Sequence, residues 1–326
     1  MKMKKIIALA LAVMMLAALM AGCGSKTDDG ANGDSASLSM ATGGTSGTYY
    51  GYSGVIAQVL NEKLAGTLDI TVEATGASKA NIQQINSNEN QLAIVQNDVM
   101  AYAYEAKDMF DGSEPITSFS AVASCYPEQC QIIASKKVKS IDDLKGKTVS
   151  VGDAGSGVEF NARQILGAYG IDFEDITVQN MSFADSADAL KNGTIDAFFI
   201  TAGAPTNAVT ELATNFDFNL LPVDDEHVEI LQKDYGFYTK VVIPADTYTC
   251  IKEDVQTVAV MATIVARNDV SEDTIYALTK ALFENKDEIA AAHAKGLLLD
   301  PETAVSGISI PFHPGADKYY TEIGAK

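Results

Sequence analysis

The sequence predicts an α/β protein of two lobes, each a mostly parallel sheet covered by helices. Strand and helix patterns alternate along the chain, the order that produces parallel sheets with helices on their faces. About 290 residues follow the N-terminal leader and tether, more than one hydrophobic core usually serves. Four strand-to-helix turns are rich in Gly, Ser, Thr and Ala and lie beyond the C-terminal ends of predicted strands, where open α/β sheets bind ligands.

The leader occupies residues 1–22. Lys2, Lys4 and Lys5 precede an apolar run from Ile6 to Ala21, followed by Gly22 and Cys23. The run is shorter than the roughly 20 residues a membrane span needs, and small residues close it, so it reads as an export signal. Leu19-Met20-Ala21-Gly22-Cys23 resembles a bacterial lipoprotein box, so Cys23 is the expected lipidation site and the mature N-terminus. Residues 23–37 form a tether of small and polar residues with nothing large to bury. The expected location is extracytoplasmic, anchored to the cell membrane through Cys23.

The chain carries 23 Lys plus Arg against 43 Asp plus Glu, a formal charge of −20. The leader removes only lysines, so the mature part is more acidic still. That surface repels nucleic acid and anionic lipid, and an anionic ligand must be held by local groups. Besides Cys23 there are Cys125, Cys130 and Cys250, without CxxC spacing or nearby His; no metal site is expected. The three read as ordinary buried cysteines. A disulfide at the lobe crossings is the alternative, and because Cys125 and Cys130 sit in one extended segment it would have to include Cys250.

Element by element, Leu38 to Ala41 alternates as a strand, and Ile56, Leu60 and Leu64 mark one face of a helix over 48–64. Residues 67–74 alternate again, a short helix holds Ile82 and Ile85, and 91–95 is a buried strand. Residues 121–135 are extended. A strand at 148–151 leads to a helix at 158–169, stopped by Gly170. Strand 176–178, helix 184–192 and strand 195–200 follow, with Pro205 opening another helix. The chain returns through 238–250 and a strand at 257–266, before a helix begun by Ser271 with Glu272 and Asp273 in its first turn.

The Gly-rich turns are 43–48, 75–78, 152–157 and 201–205. Their backbone N–H groups and hydroxyls can grip an anion without a charged side chain, which points to a carboxylate. Any one turn alone reads rather as a tight connection with a helix cap; four together, two in each half, reverse that preference in favour of a ligand. The candidate site residues are Thr45, Ser46, Tyr50, Ser78, Gln96, Asp98, Gly155, Ser156, Gly157, Gly203, Pro205 and Tyr248. The carboxylate is expected on Ser156 and the N–H groups of Gly155 and Gly157, facing Thr45, Ser46 and Ser78. Asp98 either caps a helix or meets a ligand ammonium. Arg163 reads as a solvated or salt-bridged side chain, with a carboxylate clamp as the alternative. No turn matches GxxxxGK[ST] or a clean GxGxxG with its ribose-binding acid, and His227, His293 and His313 lack a nucleophile partner. No cofactor is expected, and the chain reads as a non-enzyme and a monomer.

Thr42-Gly43-Gly44-Thr45-Ser46-Gly47-Thr48-Tyr49-Tyr50, Ala74-Thr75-Gly76-Ala77-Ser78-Lys79-Ala80-Asn81, Val95-Gln96-Asn97-Asp98, the stretch from Asp143 to Gly152, Gly155-Ser156-Gly157, Gly193 to Phe199, Gly203-Ala204-Pro205 and Ile243 to Tyr248 resemble the TAXI group of extracytoplasmic receptors for TRAP transporters. Ser46 and Gly51 depart from the family's Gly and Pro. The resemblance implies a type II periplasmic-binding-protein fold, a small carboxylate such as glutamate or 2-oxoglutarate between the lobes, and a TRAP-type permease as partner. Residues 38–124 with 250–326 would form one lobe and 125–249 the other. A receptor for an ABC transporter or a ligand sensor is the alternative; an enzyme on the same fold is a further one.

Overall fold

The computed structural model describes residues 35–326. The export signal, Cys23 and most of the tether lie outside the described residues. In chain order the elements are β1 (Ala36–Ala41), α1 (Thr48–Lys63), β2 (Leu68–Glu73), α2 (Ser78–Asn86), β3 (Leu92–Gln96), α3 (Asn97–Glu105) and β4 (Phe119–Ala134). There follow β5 (Thr148–Ser150), α4 (Gly157–Ala168), β6 (Thr177–Gln179), α5 (Phe183–Lys191), β7 (Ala197–Ala202), α6 (Asn207–Ala213), β8 (Asn219–Leu220) and α7 (Asp225–Tyr235). The chain ends with β9 (Thr239–Ile243), β10 (Val255–Arg267), α8 (Glu272–Glu284), α9 (Lys286–Ala292) and α10 (Pro314–Ile323).

The strands run in the order β2-β1-β3-β10-β4-β7-β5-β6, with β8 added to β4 and β9 to β10. β1 is parallel to β2 and β3, and β5 is parallel to β6 and β7. Between these parallel ends β10 and β4 lie antiparallel to each other over Ala259–Arg267. β10 also changes partner along its length: Ala262–Ala266 pair with β3, while Val255–Ala259 pair with β9. β4 likewise passes from β10 to β7, which it meets over Gln129–Ala134. Two long strands therefore run from one parallel end to the other, with register shifts between Ala262 and Thr263 and between Ile264 and Val265.

Burial follows the same division. One pair of apolar cores gathers Leu38, Tyr52, Leu60, Ile94, Tyr126, Ile264 and Tyr320 on one side of the sheet end and Ile82, Val99, Phe119 and Val265 on the other. A second pair gathers Ile132, Val149, Ile165 and Val260, and then Ile133, Phe198, Val209 and Tyr248. The first pair draws on residues before 127 and after 261, the second on residues 130–260. This is the two-lobed α/β fold read from the alternation of elements.

Local chemistry starts the helices where small residues with an accepting side-chain oxygen stand. Ser156, Ser182, Asp224 and Ser271 each accept the backbone N–H of the third residue on, opening α4, α5, α7 and α8. Some expectations are corrected. β1 begins at Ala36, which pairs with Leu68 as Ser37 does with Asp69, so the tether ends earlier than composition suggested. Pro205 does not open α6; Thr206 precedes its first residue, Asn207. The helix α7 has only Val228 and Leu231 fully buried, too weak a stripe to stand out in sequence. Cys125, Cys130 and Cys250 are all free thiols, so no disulfide closes the crossings.

Candidate ligand cleft

One cavity lies between the lobes, lined by residues from all four corners of the molecule: Gly47 and Thr48, Ala77 and Ser78, Ser156 and Gly157, Ser182 and Phe183. Each pair is the cap and the first residue of a helix, α1, α2, α4 and α5 respectively. Four helix N-termini thus meet at one space, two from each lobe, and each presents unpaired N–H groups and the positive end of its dipole. No Lys or Arg is among the lining residues.

The two sides are not equivalent. Ser156 and Ser182 use their hydroxyls to cap their own helices, accepting from Glu159 and Asp185 at 3.2 Å each. α1 and α2 begin at Gly47 and Ala77, which offer no side-chain cap. Their first-turn N–H groups have no side-chain cap of their own. Ala77 sits at φ 68°, ψ −154°, a region that only glycine enters without strain, and Thr75 Oγ accepts its N–H at 3.0 Å.

A buried acid forms the floor. Glu128, on β4, is 1 % exposed and accepts the Tyr49 hydroxyl at 2.5 Å through Oε2. Burial pushes its carboxyl well above the usual range, against the Tyr49 hydrogen bond and the nearby Lys295 ammonium. Burial thus disfavours a negative charge on Glu128. Burial and the neighbouring Asp185 also raise Asp153 at the rim.

The glycines of the turns serve lobe-to-lobe contact. A Cβ on Gly157 would lie 2.6 Å from Cδ of Gln96 and collide with its Oε1. One on Gly203 would collide with Lys295 Cε, whose Nζ donates to Ala204 O at 2.7 Å. Gly47 lies against the Phe183 ring, 3.4 Å from where its Cβ would be. Thr48 Oγ donates to Gly203 O at 3.0 Å across the same gap. The space left is about 50 Å³ for the centres of water-sized spheres, room for a few waters; the cleft is shut.

Of the residues singled out in sequence, Ser46, Ser78, Gln96, Ser156 and Gly157 line the cavity. The others do not. Thr45 and Pro205 are exposed, and Tyr50 is 36 % exposed. Gly155 cannot offer its N–H to a ligand, because that N–H donates to Glu159 Oε2 at 2.6 Å. Gly203 supplies its carbonyl to Thr48 and Thr206. The Tyr248 hydroxyl donates to Gln131 and accepts from the Thr206 N–H. Asp98 is buried outside the lining, where Oδ2 accepts from Asn161 Nδ2 at 3.1 Å and Oδ1 from the Val99 N–H at 2.8 Å. Arg163 stacks over Phe173, 3.8 Å from its centroid. Sequence reading missed Glu128 and the Ser182–Phe183 corner. Nothing local marks Glu128; Ser182 with Asp185 three residues on was a readable cap signal.

The family model described as NMT1-like matches residues 40–324. The chain belongs to the NMT1-like family. This overturns the TAXI resemblance and its TRAP-type permease, since the similar solved structures carry binding-protein and ABC importer descriptions. One is the alkanesulfonate-binding protein SsuA from Xanthomonas axonopodis pv. citri bound to MOPS, at 15 % identity over 88 % of this chain and 84 % of that one, TM-score 0.50. Another is PhnD1 from Prochlorococcus marinus (MIT 9301) in complex with methylphosphonate, at 10 % identity, 89 % and 99 % coverage, TM-score 0.53. A third belongs to work on glutathione import via GshT and the cystine ABC importer TcyBC of Streptococcus mutans, at 13 % identity, 82 % and 98 % coverage, TM-score 0.51. At these identities the likeness gives this NMT1-like chain its fold, the type II periplasmic-binding-protein fold.

Proposed function

We propose that this protein is an extracytoplasmic solute receptor that holds a small carboxylate between its lobes and delivers it to an ABC-type permease. The observation that carries the reading is the meeting of four helix N-termini on one cavity without a basic side chain. A carboxylate there is matched by N–H donors and dipoles. The uncapped ends of α1 and α2 receive the anion first. The lobes, 38–124 with 250–326 and 125–249, rock about β4 and β10, and only the closed form lets both touch the ligand. The ABC-type partner is supported by the fold shared with binding proteins of such importers. A lipid on Cys23 would keep the receptor at the membrane.

The protein has no Trp, so calorimetry and thermal-shift screening of small mono- and dicarboxylates test the reading. Ser156→Asp is the decisive variant: aspartate still caps α4, but it places a carboxylate in the cavity. Its stability should stay near wild type while carboxylate binding is lost. An uncharged compound as the best ligand, or full binding by Ser156→Asp, overturns the reading.

A further inference from the structure

Beside the cleft, α3 of the first lobe lies against α4 of the second. Gly157, Asn161 and Gln164 share one face of α4, and they meet Gln96, the residue before α3, then Asp98 and Tyr102 on it. Beyond Gln96 the seam is a chain of hydrogen bonds. Asn161 Nδ2 donates to Asp98 Oδ2 at 3.1 Å and to the Tyr238 hydroxyl at 3.0 Å. That hydroxyl donates to Gln164 Oε1 at 2.6 Å, and Gln164 Nε2 donates to the Tyr102 hydroxyl at 3.1 Å. All five side chains are buried, and Asp98 is the one carboxyl among them. The titratable groups acting on or through it are Tyr102, Tyr238 and Cys130, with the acids Asp108 and Glu128. Charged groups on the packed elements are engaged elsewhere: Lys79 of α2 with Met109 O, Glu159 of α4 with the Gly155 N–H, Arg163 with the Phe173 ring and Arg267 of β10 with Asp269. Asn161 Oδ1 is buried without a partner. A half-turn of that amide would set Oδ1 against a protonated Asp98 and accept its O–H, pairing an oxygen that the ionised form leaves orphaned.

We propose that Asp98 couples lobe closure to a proton: closing the seam takes one proton from solvent onto its carboxylate, and opening releases it. Opening draws α4 from α3 and lets water reach the carboxyl, so its ordinary acidity returns. Burial lifts Asp98 to about 6 with the cleft shut. Set against an ordinary value of about 4, this makes closure about tenfold less favourable at pH 7 than at pH 5. Burial also raises Glu128 and Asp153 in the cleft, so the whole protein's pH response would mix several acids and the test must follow Asp98 itself. On the solute-receptor reading the coupling would tighten capture in acid surroundings, but the proton uptake can be measured with no ligand.

Two ligand-free forms of the protein bracket the motion. Gln96→Cys with Gly157→Cys locks the cleft shut once oxidised, since a Cβ on Gly157 would lie only 2.6 Å from Cδ of Gln96; a short bifunctional thiol reagent closes the same pair if the disulfide does not form. Gly157→Ala wedges the cleft open against Gln96, with Gly47→Val against Phe183 as the wedge if that variant does not fold. Solution scattering should give the wedge the larger radius of gyration. In carbon-13 carboxyl spectra, with the Asp98 signal assigned by its loss in Asp98→Asn, Asp98 should titrate about one pH unit or more higher in the lock than in the wedge. Equal titration midpoints in the two forms, or equal radii, overturn the coupling. A coupling that holds while no carboxylate binds would refute the ligand reading alone.

Discussion

The Gln96 side chain of one lobe ends against the bare Cα of Gly157 in the other, a position where any Cβ would collide with Oε1. This contact exists only when the cleft is shut. Gly157→Ala should therefore weaken binding of whichever carboxylate the screen finds by about tenfold or more, because the closed state is what ligand affinity draws on. Calorimetry reads the affinity, and scattering with the ligand bound should show a larger radius than wild type. Wild-type affinity in Gly157→Ala would show that this contact does not limit closure.

Glu128→Gln keeps the shape and the acceptor for Tyr49 while removing the ionisable proton. Because burial raises the folded Glu128 carboxyl, the wild type loses stability as pH rises above the ordinary carboxylate range, and the glutamine variant does not. The melting temperature of Glu128→Gln relative to wild type should therefore climb with pH. Glu128→Ala orphans the Tyr49 hydroxyl and should cost about 1–3 kcal/mol in denaturant titrations. A difference between Gln and Glu that is flat with pH would mean Glu128 ionises freely.

Asp98 gives the same sign in a narrower window. Burial raises its pKa to about 6, against hydrogen bonds from Val99 and Asn161. Below about 4 both folded and unfolded forms are protonated; between about 4 and 6 the unfolded chain ionises first, so Asp98 lowers stability as pH rises and is a constant burden above that. Asp98→Asn should gain on wild type across this window by about 2–3 kcal/mol. Thermal unfolding of both proteins from about pH 3.5 to 7.5 measures it, and a gain confined to below about pH 4 would contradict the burial argument.

Cys23 is the single cysteine placed after the apolar run and small pair. Labelled fatty acid should enter the wild-type protein in cells and not Cys23→Ser. Equal labelling of the two would move the anchor elsewhere.

What could be read in advance was local. The turns at Gly43–Thr48, Ala77–Ser78 and Ser156–Gly157 announce themselves because a strand stops, small residues follow and a helix pattern starts within a few positions. What those glycines do could not be read, since Gln96, Lys295 and Phe183 press on Gly157, Gly203 and Gly47 from far along the chain. Glu128 was hidden for the same reason. It lies mid-strand in β4, and only the strand order brings it beneath Tyr49. The lining around Ser182 lacks glycine, so composition passed over it. The family assignment was also out of reach of motif reading, because short Gly and Ser turns recur wherever this fold binds anions.

The place of β10 between β3 and β4 has a consequence for how the chain comes to be folded. Residues 130–260 are nearly continuous and can build their two cores as they are synthesised. The first lobe cannot: its sheet keeps a gap between strands that end at residues 96 and 134 until Val255–Arg267 arrives to fill it. Until then both edges stand open to the wrong strand. The half of the protein made first is thus completed last.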